Sequence, residues 1–123
     1  MKFAKRVFFW AGVYGVAVLA PMVFMEGRIG RDQPPPITHP EFFYGFLGLA
    51  ILFQVVFFII ASSPIRMRPF MIPAILEKFV YTLAVVVLYL QNRVYPATLY
   101  ISLVDPILGL LFIAAYRKTG PEI

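Results

Sequence analysis

Four apolar runs, each about 20 residues long, dominate this sequence. They cover the ranges 7–25, 42–61, 71–90 and 97–116. An α-helix of about 20 residues crosses the hydrocarbon core of a bilayer, which is about 30 Å thick. Hydrocarbon offers no partner to backbone N–H and C=O groups, so such runs are helical. The sequence therefore predicts an all-α, polytopic membrane protein, a four-transmembrane-helix bundle with short loops in a single domain over residues 1–123.

Composition limits where a function can lie. Hydrophobic residues make up 61% of the chain and charged residues only 14%, which is typical of membrane proteins and excludes an ordinary soluble domain. Little sequence remains outside the four runs, so a function must lie in the bundle or its loops. The first run is longer than the roughly 7–15 apolar residues of a signal peptide, and we expect it to be an uncleaved helix.

Basic residues are divided unequally between the loops. Seven lie near the two termini and in the loop after the second run, whereas the opposite side has three, which acidic residues offset. The positive-inside rule then predicts that both termini are cytoplasmic, and we expect the protein in a cell inner membrane. This topology also explains the pI of about 9.8, and we expect no nucleic-acid partner.

The residues of common metal and redox sites are nearly absent. The chain has no cysteine and a single histidine, His39, which excludes thiolate sites and bis-histidine haem within one chain. We expect no metal and no cofactor. Thr38 and Glu41 have the spacing of a capping box, with Pro40 in the first turn. His39 and Glu41 thus have a structural explanation, and a role in ligand gating or catalysis stays open.

Polar side chains recur within the apolar runs. A rise of about 1.5 Å per residue places Tyr14, Gln54 and Glu77 at similar depth, and Tyr81 and Asp105 at a second level. Ionisable groups inside a membrane face the bundle interior or a water-filled cavity. We expect these five residues to form a polar ladder, either as a ligand pocket or as groups that satisfy each other and fix helix packing.

Lys78 and Pro106 carry two further expectations. Lys78 lies about 100° around the helix from Glu77 and near the cytoplasmic end of its run. The sequence favours a lysine that snorkels to the membrane surface, with pairing to an acid as the alternative. Pro106 follows Asp105, frees a backbone carbonyl near Ser102 and predicts a bend in the fourth helix.

Several segments together resemble a known superfamily. They are "YGVAVLAPMVFMEG", "HPEFFYGFLGLAILFQVVFFIIA", "RPFMIPAIL" and "VDPILGLLFIAAYRKT". In this order they are similar to sigma-type receptors and emopamil-binding sterol isomerases of the EXPERA superfamily, which have four membrane helices and cytoplasmic termini. The resemblance implies a pocket for sterols and amphiphilic amines, with Glu26 and Gln54 as ligand-binding residues.

The chain departs from that superfamily at two positions. Ala50 stands where the superfamily has an acidic residue, and the intramembrane histidine of the isomerases has no counterpart, since His39 lies in a loop. These departures put the isomerase reaction in doubt. Lipid binding survives them better, with Glu77 and Asp105 supplying the charge that is missing at Ala50.

Three functions are compatible with these features. The first is a protein that binds a hydrophobic or amphiphilic small molecule, sterol-like, isoprenoid or a cationic lipid, at Tyr14, Glu26, Gln54 and the Glu77–Tyr81–Asp105 group. The second is an accessory or assembly subunit of a larger membrane complex. The third is an enzyme on a lipid-soluble substrate, with two carboxyls as acid and base. We favour a protein without catalysis, surrounded by membrane lipids, and leave open a homodimer or a larger complex.

Overall fold

The computed structural model describes residues 2–119, and these residues form helices and connecting turns without a β-strand. The elements are α1 (Lys2–Met22), α2 (Glu26–Asp32), α3 (Pro40–Ser62), a 3₁₀ turn (Arg68–Phe70), α4 (Met71–Leu90), α5 (Pro96–Ser102) and α6 (Val104–Lys118). Four stretches are long and apolar enough to cross a membrane: Lys2–Met22, Pro40–Ser62, Arg68–Leu90 and Pro96–Lys118. The chain is an all-α, multi-pass membrane protein, as predicted.

The first helix differs most from its predicted bounds. It begins at Lys2 rather than at residue 7, and it ends at Met22, one residue after Pro21. Pro21 lies inside the helix and has no N–H for the carbonyl of Ala17, one turn earlier. The chain leaves the helix through turns in which the Phe24 N–H donates to Pro21 O at 3.1 Å and the Met25 N–H to Met22 O at 3.0 Å. The chain turns before Glu26, where the separate short helix α2 begins. Glu26 is therefore not on the first membrane helix.

The start of α3 corrects the predicted capping box. Pro40 is in the first turn as expected, since a proline there gives up no intrahelical bond. His39, not Thr38, is the N-cap residue, and no side chain caps the helix. Glu41 instead lies 4.0 Å from Nδ1 of His39, and both side chains are exposed.

The hairpin between the third and fourth spans has well-defined ends. Asn92 adopts a left-handed backbone conformation with φ of 58°. The Arg93 N–H donates to Leu88 O at 2.8 Å and the Asn92 N–H to Tyr89 O at 2.9 Å, which is a Schellman motif that ends α4. Tyr95 is extended, as a residue before proline should be, and α5 then begins at Pro96.

The fourth span has an interruption next to the position where a bend was predicted. The helix is interrupted at Leu103, between α5 and α6. Pro106 has no N–H to donate to the carbonyl of Ser102, four residues earlier. That carbonyl accepts a hydrogen bond from Oγ1 of Thr82 at 2.9 Å. A side chain of α4 thus replaces the missing backbone donor and fixes the bend against the neighbouring helix.

Three phenylalanines form the centre of the core. Phe8 and Phe112 stack with ring centroids 4.2 Å apart, and Phe57 meets Phe112 edge-on at 5.0 Å. All three are fully buried. They join α1, α3 and α6, with small residues such as Ala11 and Ala115 filling the surrounding space.

The helices are not packed equally around the bundle. The helix α1 packs against α3 and α6, and α4 packs against α5 and α6, whereas α3 and α4 make much less contact with each other. The order around the bundle is thus α3, α1, α6, α4, with a gap between the last and the first. Lys118 Nζ lies 4.2 Å from the ring of Phe3, so both ends of the described chain are at one end of the bundle.

Candidate functional site

Five of the six predicted site residues line a single cavity. The cavity has a volume of about 140 Å³ and lies between all four spans. Tyr14 comes from α1, Gln54 from α3, Glu77 and Tyr81 from α4, and Asp105 from α6. Spacing along the helices thus placed these residues correctly beside one another. Whether they bind a ligand stays a prediction.

The side chain of Gln54 can extend into the cavity because the residue of α1 that faces it is a glycine, Gly15. A Cβ added at Gly15 would collide with the side-chain amide of Gln54. The amide Nε2 donates to the carbonyl of Ala50, one turn earlier, at 2.8 Å. Its Oε1 is buried and has no hydrogen-bond donor among the described residues. An unpaired amide oxygen is costly in an apolar interior, so this atom is an acceptor available to a bound group.

Lys78 corrects the expectation of a snorkelling side chain. The lysine is buried, with only 5% of its side chain exposed, and its Nζ lies 3.7 Å from Glu77 Oε1 and 3.7 Å from Asp105 Oδ1. On its other side, Nζ is 5.0 Å from the centre of the Phe57 ring, within cation–π range. The ammonium is therefore held between the aromatic core and the polar cavity.

A close approach of α4 and α6 brings this group together. A Cβ at Gly109 would lie 2.7 Å from the ring of Phe79 and 3.3 Å from Lys78 Cβ. Any side chain here would require the Phe79 ring to shift, so the glycine favours this close approach of the two helices. One turn before Gly109 along α6, Asp105 then comes within reach of the lysine.

The charges of the three ionisable groups, Glu77, Lys78 and Asp105, do not cancel. Two carboxyls face one ammonium, so the set carries a net charge of −1 when all three are ionised. Both ion-pair distances exceed hydrogen-bonding distance, and Glu77 Oε1 is buried without a hydrogen-bond partner among residues 2–119. The cavity thus presents two acceptors without donors, Gln54 Oε1 and Glu77 Oε1.

Glu26 is the predicted site residue that lies elsewhere. Its Oε1 accepts a hydrogen bond from the hydroxyl of Tyr44 at 2.9 Å, in an exposed position. It does not line the cavity. The contact ties α2 to the start of α3, which is a structural role at the rim of the bundle.

An apolar groove leads from the cavity to the outside of the bundle. It occupies the gap between α3 and α4, has a volume of about 490 Å³, and is walled by residues such as Leu49, Phe53 and Val80. The cavity and the groove share four residues: Phe46, Ala50, Glu77 and Tyr81. The rings of Phe46 and Tyr81 stack at 5.5 Å and form the boundary between the two spaces.

Three contributors to the site were not among the predicted site residues. Gly15 and Gly109 shape it through the side chains they lack, and Thr82 fixes the bend beside Asp105. The only signal for them was position: Gly15 follows Tyr14 directly, Gly109 is one turn from Asp105, and Thr82 follows Tyr81. No model of a protein family matches this chain, and comparison with curated proteins and with solved structures gives no match.

Proposed function

We propose that this membrane protein binds a hydrophobic or amphiphilic small molecule, whose polar end enters the cavity and whose apolar body lies in the groove between α3 and α4. The observation that carries the proposal is the pair of buried acceptors without donors, Gln54 Oε1 and Glu77 Oε1. A ligand with a hydroxyl or an amine would donate to Gln54 Oε1, and it would come closer to Glu77 Oε1 than the 3.7 Å at which Lys78 Nζ lies.

Charge favours the same class of ligand. Burying an uncompensated charge in an apolar region is costly, and the Glu77–Lys78–Asp105 group has one carboxyl in excess. A protonated amine would balance it, and a hydroxyl would hydrogen-bond to it. Sterol-like alcohols, isoprenoid alcohols and cationic lipids all meet this requirement.

The volumes of the two spaces favour a ligand site that spans the cavity and the groove rather than the cavity alone. The cavity of about 140 Å³ is smaller than the roughly 300–1,000 Å³ of typical small-molecule sites. The adjoining groove of about 490 Å³ provides the missing space, and its apolar walls suit a hydrocarbon body. Because the groove is on the outside of the bundle, a ligand would enter sideways from the bilayer.

The resemblance to the EXPERA superfamily implies the same ligand class, with a change in the residues responsible. Glu26, which the resemblance would place at the ligand amine, does not line the cavity. We propose that Glu77 and Asp105 take that role here. Gln54 is the residue on which the resemblance and the geometry agree.

Photo-crosslinking tests the proposal. Three probes would share one alkyl diazirine chain and carry an amine, an alcohol or a carboxylate at the end. We expect the amine and the alcohol to label peptides around Phe53 and Val80, and the carboxylate to label them least. Glu77→Gln should reduce labelling by the amine with at most a small loss of thermal stability, whereas Glu26→Gln, a matched change outside the cavity, should leave labelling as in the wild type. Equal labelling by all three probes, insensitive to Glu77→Gln, would contradict the proposal.

Native mass spectrometry of the protein purified in a mild detergent separates the alternatives. A co-purified lipid with a hydroxyl or amine supports the binding function. A stoichiometric partner chain with no lipid would favour the accessory-subunit hypothesis. Conversion of the co-purified lipid on incubation would favour an enzyme.

A further inference from the structure

A second groove lies at the other end of the bundle and shares no residue with the cavity. It runs between α1 and α3, has a volume of about 480 Å³, and is lined by Lys5, Arg6, Phe9, Trp10, Phe58 and Ser62. Lys5 and Arg6 belong to the end of the bundle that carries both described chain ends. The groove thus combines two cations with an aromatic wall directly beside them.

The aromatic wall is continuous and exposed. The ring of Phe9 meets Trp10 edge-on at 5.1 Å and Phe58 at 5.7 Å. Trp10 is 63% exposed and Phe9 is 44% exposed. Both lie within the first turns of a membrane-spanning helix, at the depth where aromatic side chains meet lipid headgroups and the first part of the acyl chains.

The two cations have no protein partner in the described chain. No carboxylate among residues 2–119 lies within 4 Å of Lys5 or Arg6. Neighbouring cations differ: Arg68 Nε donates to the carbonyl of Tyr116 at 3.0 Å, and its guanidinium lies over the same ring. The Ser62 hydroxyl already donates to the Ile59 carbonyl at 2.6 Å. Recognition of a ligand here therefore depends on Lys5 and Arg6.

We propose that this groove binds an anionic phospholipid, with the phosphate between Lys5 and Arg6 and an acyl chain along Phe9, Trp10 and Phe58. Charge complementarity supports this occupant, because a guanidinium and an ammonium are the groups that bind phosphate oxygens best. The apolar wall would contact the acyl chain of the lipid, whereas a free phosphate would leave this wall uncovered. Each basic residue near an anionic lipid surface contributes about a five-fold change in affinity.

Trp10 makes the proposal directly measurable, since it is the only tryptophan in the chain. The protein would be placed in lipid nanodiscs with a fixed fraction of brominated phosphatidylglycerol or, in a matched sample, brominated phosphatidylcholine. Bromine quenches a tryptophan that it contacts. We expect the phosphatidylglycerol to occupy the Trp10 site at least about five-fold more readily, with a preference that falls as salt is raised.

Variants separate the groove from general surface attraction. The double variant Lys5→Gln, Arg6→Gln should lose the preference. The control Arg66→Gln, Arg117→Gln removes the same charge from exposed positions at the same end of the bundle and should keep it. Loss of the preference in both variants would show surface attraction only and overturn the proposal.

A second reporter keeps the test decisive if the groove variant fails to fold. Trp10→Phe with Leu110→Trp moves the tryptophan to an exposed position on α6, where we expect no preference between the two lipids. Equal quenching of Trp10 by both lipids in the wild type would show non-selective surrounding lipid only. If the tryptophan moved to position 110 showed the same preference for phosphatidylglycerol as Trp10, a site confined to the groove would also be overturned.

Discussion

Lys78 is predicted to contribute more to stability than either of its acidic partners. Its Nζ contacts Glu77 and Asp105, each at 3.7 Å. At that distance, one pair of unit charges interacts with about 4 kcal/mol at an effective dielectric constant of about 20. Lys78→Met removes both pairs at once and leaves two like charges beside each other. Breaking a buried pair typically costs about 3–5 kcal/mol, and we expect a loss of that size.

The two acids should differ from each other. Asp105→Asn removes the ion pair between Asp105 of α6 and Lys78 of α4, which forms only when the two helices pack. Glu77→Gln removes a contact between neighbours in sequence and leaves the lysine paired with Asp105. We expect Asp105→Asn to lower the free energy of unfolding by about half as much as Lys78→Met, and Glu77→Gln by still less, because one pair survives in each.

Thermal unfolding in mild detergent, followed by far-ultraviolet circular dichroism, would measure this order. At about 4 °C per kcal/mol, Lys78→Met should lower the Tm by on the order of 10–20 °C. Lys2→Met is the matched control, since it deletes an exposed ammonium on α1. A Lys78→Met variant as stable as the wild type would refute the reasoning. So would a Glu77→Gln variant that is the least stable of the three.

A triple variant tests whether the charges are needed for the fold at all. Replacing a buried ion pair or triad with apolar residues of similar volume is often neutral or stabilising. Glu77→Leu, Lys78→Met and Asp105→Leu together should therefore recover most of the Tm that Lys78→Met loses. A triple variant as unstable as Lys78→Met would show that the loss comes from packing and not from unpaired charge.

Three further predictions follow from the fold. Phe112→Ala should cost about 3–5 kcal/mol by opening a cavity in the aromatic core, and exposed Leu110→Ala much less, in the same thermal assay. Thr82→Val should cost about 1–3 kcal/mol, because the Ser102 carbonyl loses its donor; Thr82→Ser, which keeps the hydroxyl, is its control. Reporter fusions should read external at Pro35 and cytoplasmic at the carboxyl terminus, and the reverse readout would contradict the predicted orientation.

The sequence predicted the spans and the level of the polar groups because both depend on distance along one helix. Apolar length identifies a span, and the rise per residue brought Gln54, Glu77 and Asp105 to one region. Proline chemistry predicted the bend at Pro106. These inferences need no knowledge of which helices are neighbours.

Lys78 could not be placed in this way. Its depth and its angle to Glu77 were known, but not the helices that lie on either side of α4. In the fold, α4 has α6 on one side and the gap toward α3 on the other. Lys78 faces α6, where Gly109 lets the helices approach, and Glu77 faces the gap. Two side chains about 100° apart thus both point into the bundle, and neither needs to reach the membrane surface.

Glu26 was misplaced for a different reason. The resemblance put it at the end of the first helix, but that helix ends at Met22 and the chain turns into α2. A carboxyl four residues beyond Met22 therefore points to Tyr44 and not to the cavity. The residue at which the first helix ends thus decides which of the following side chains can still face the bundle.

The arrangement of the three charges separates a structural role from a functional one. One ammonium needs one carboxyl, and Asp105 meets that need across two helices, beside the glycine that allows their approach. Glu77 is then the carboxyl in excess of what holds the helices together. It is also the charged residue that lines both the cavity and the groove. A second buried acid beside a single cation costs desolvation that the one ammonium offsets only in part, and we propose that Glu77 lies at the opening toward the bilayer because a bound molecule supplies a donor there.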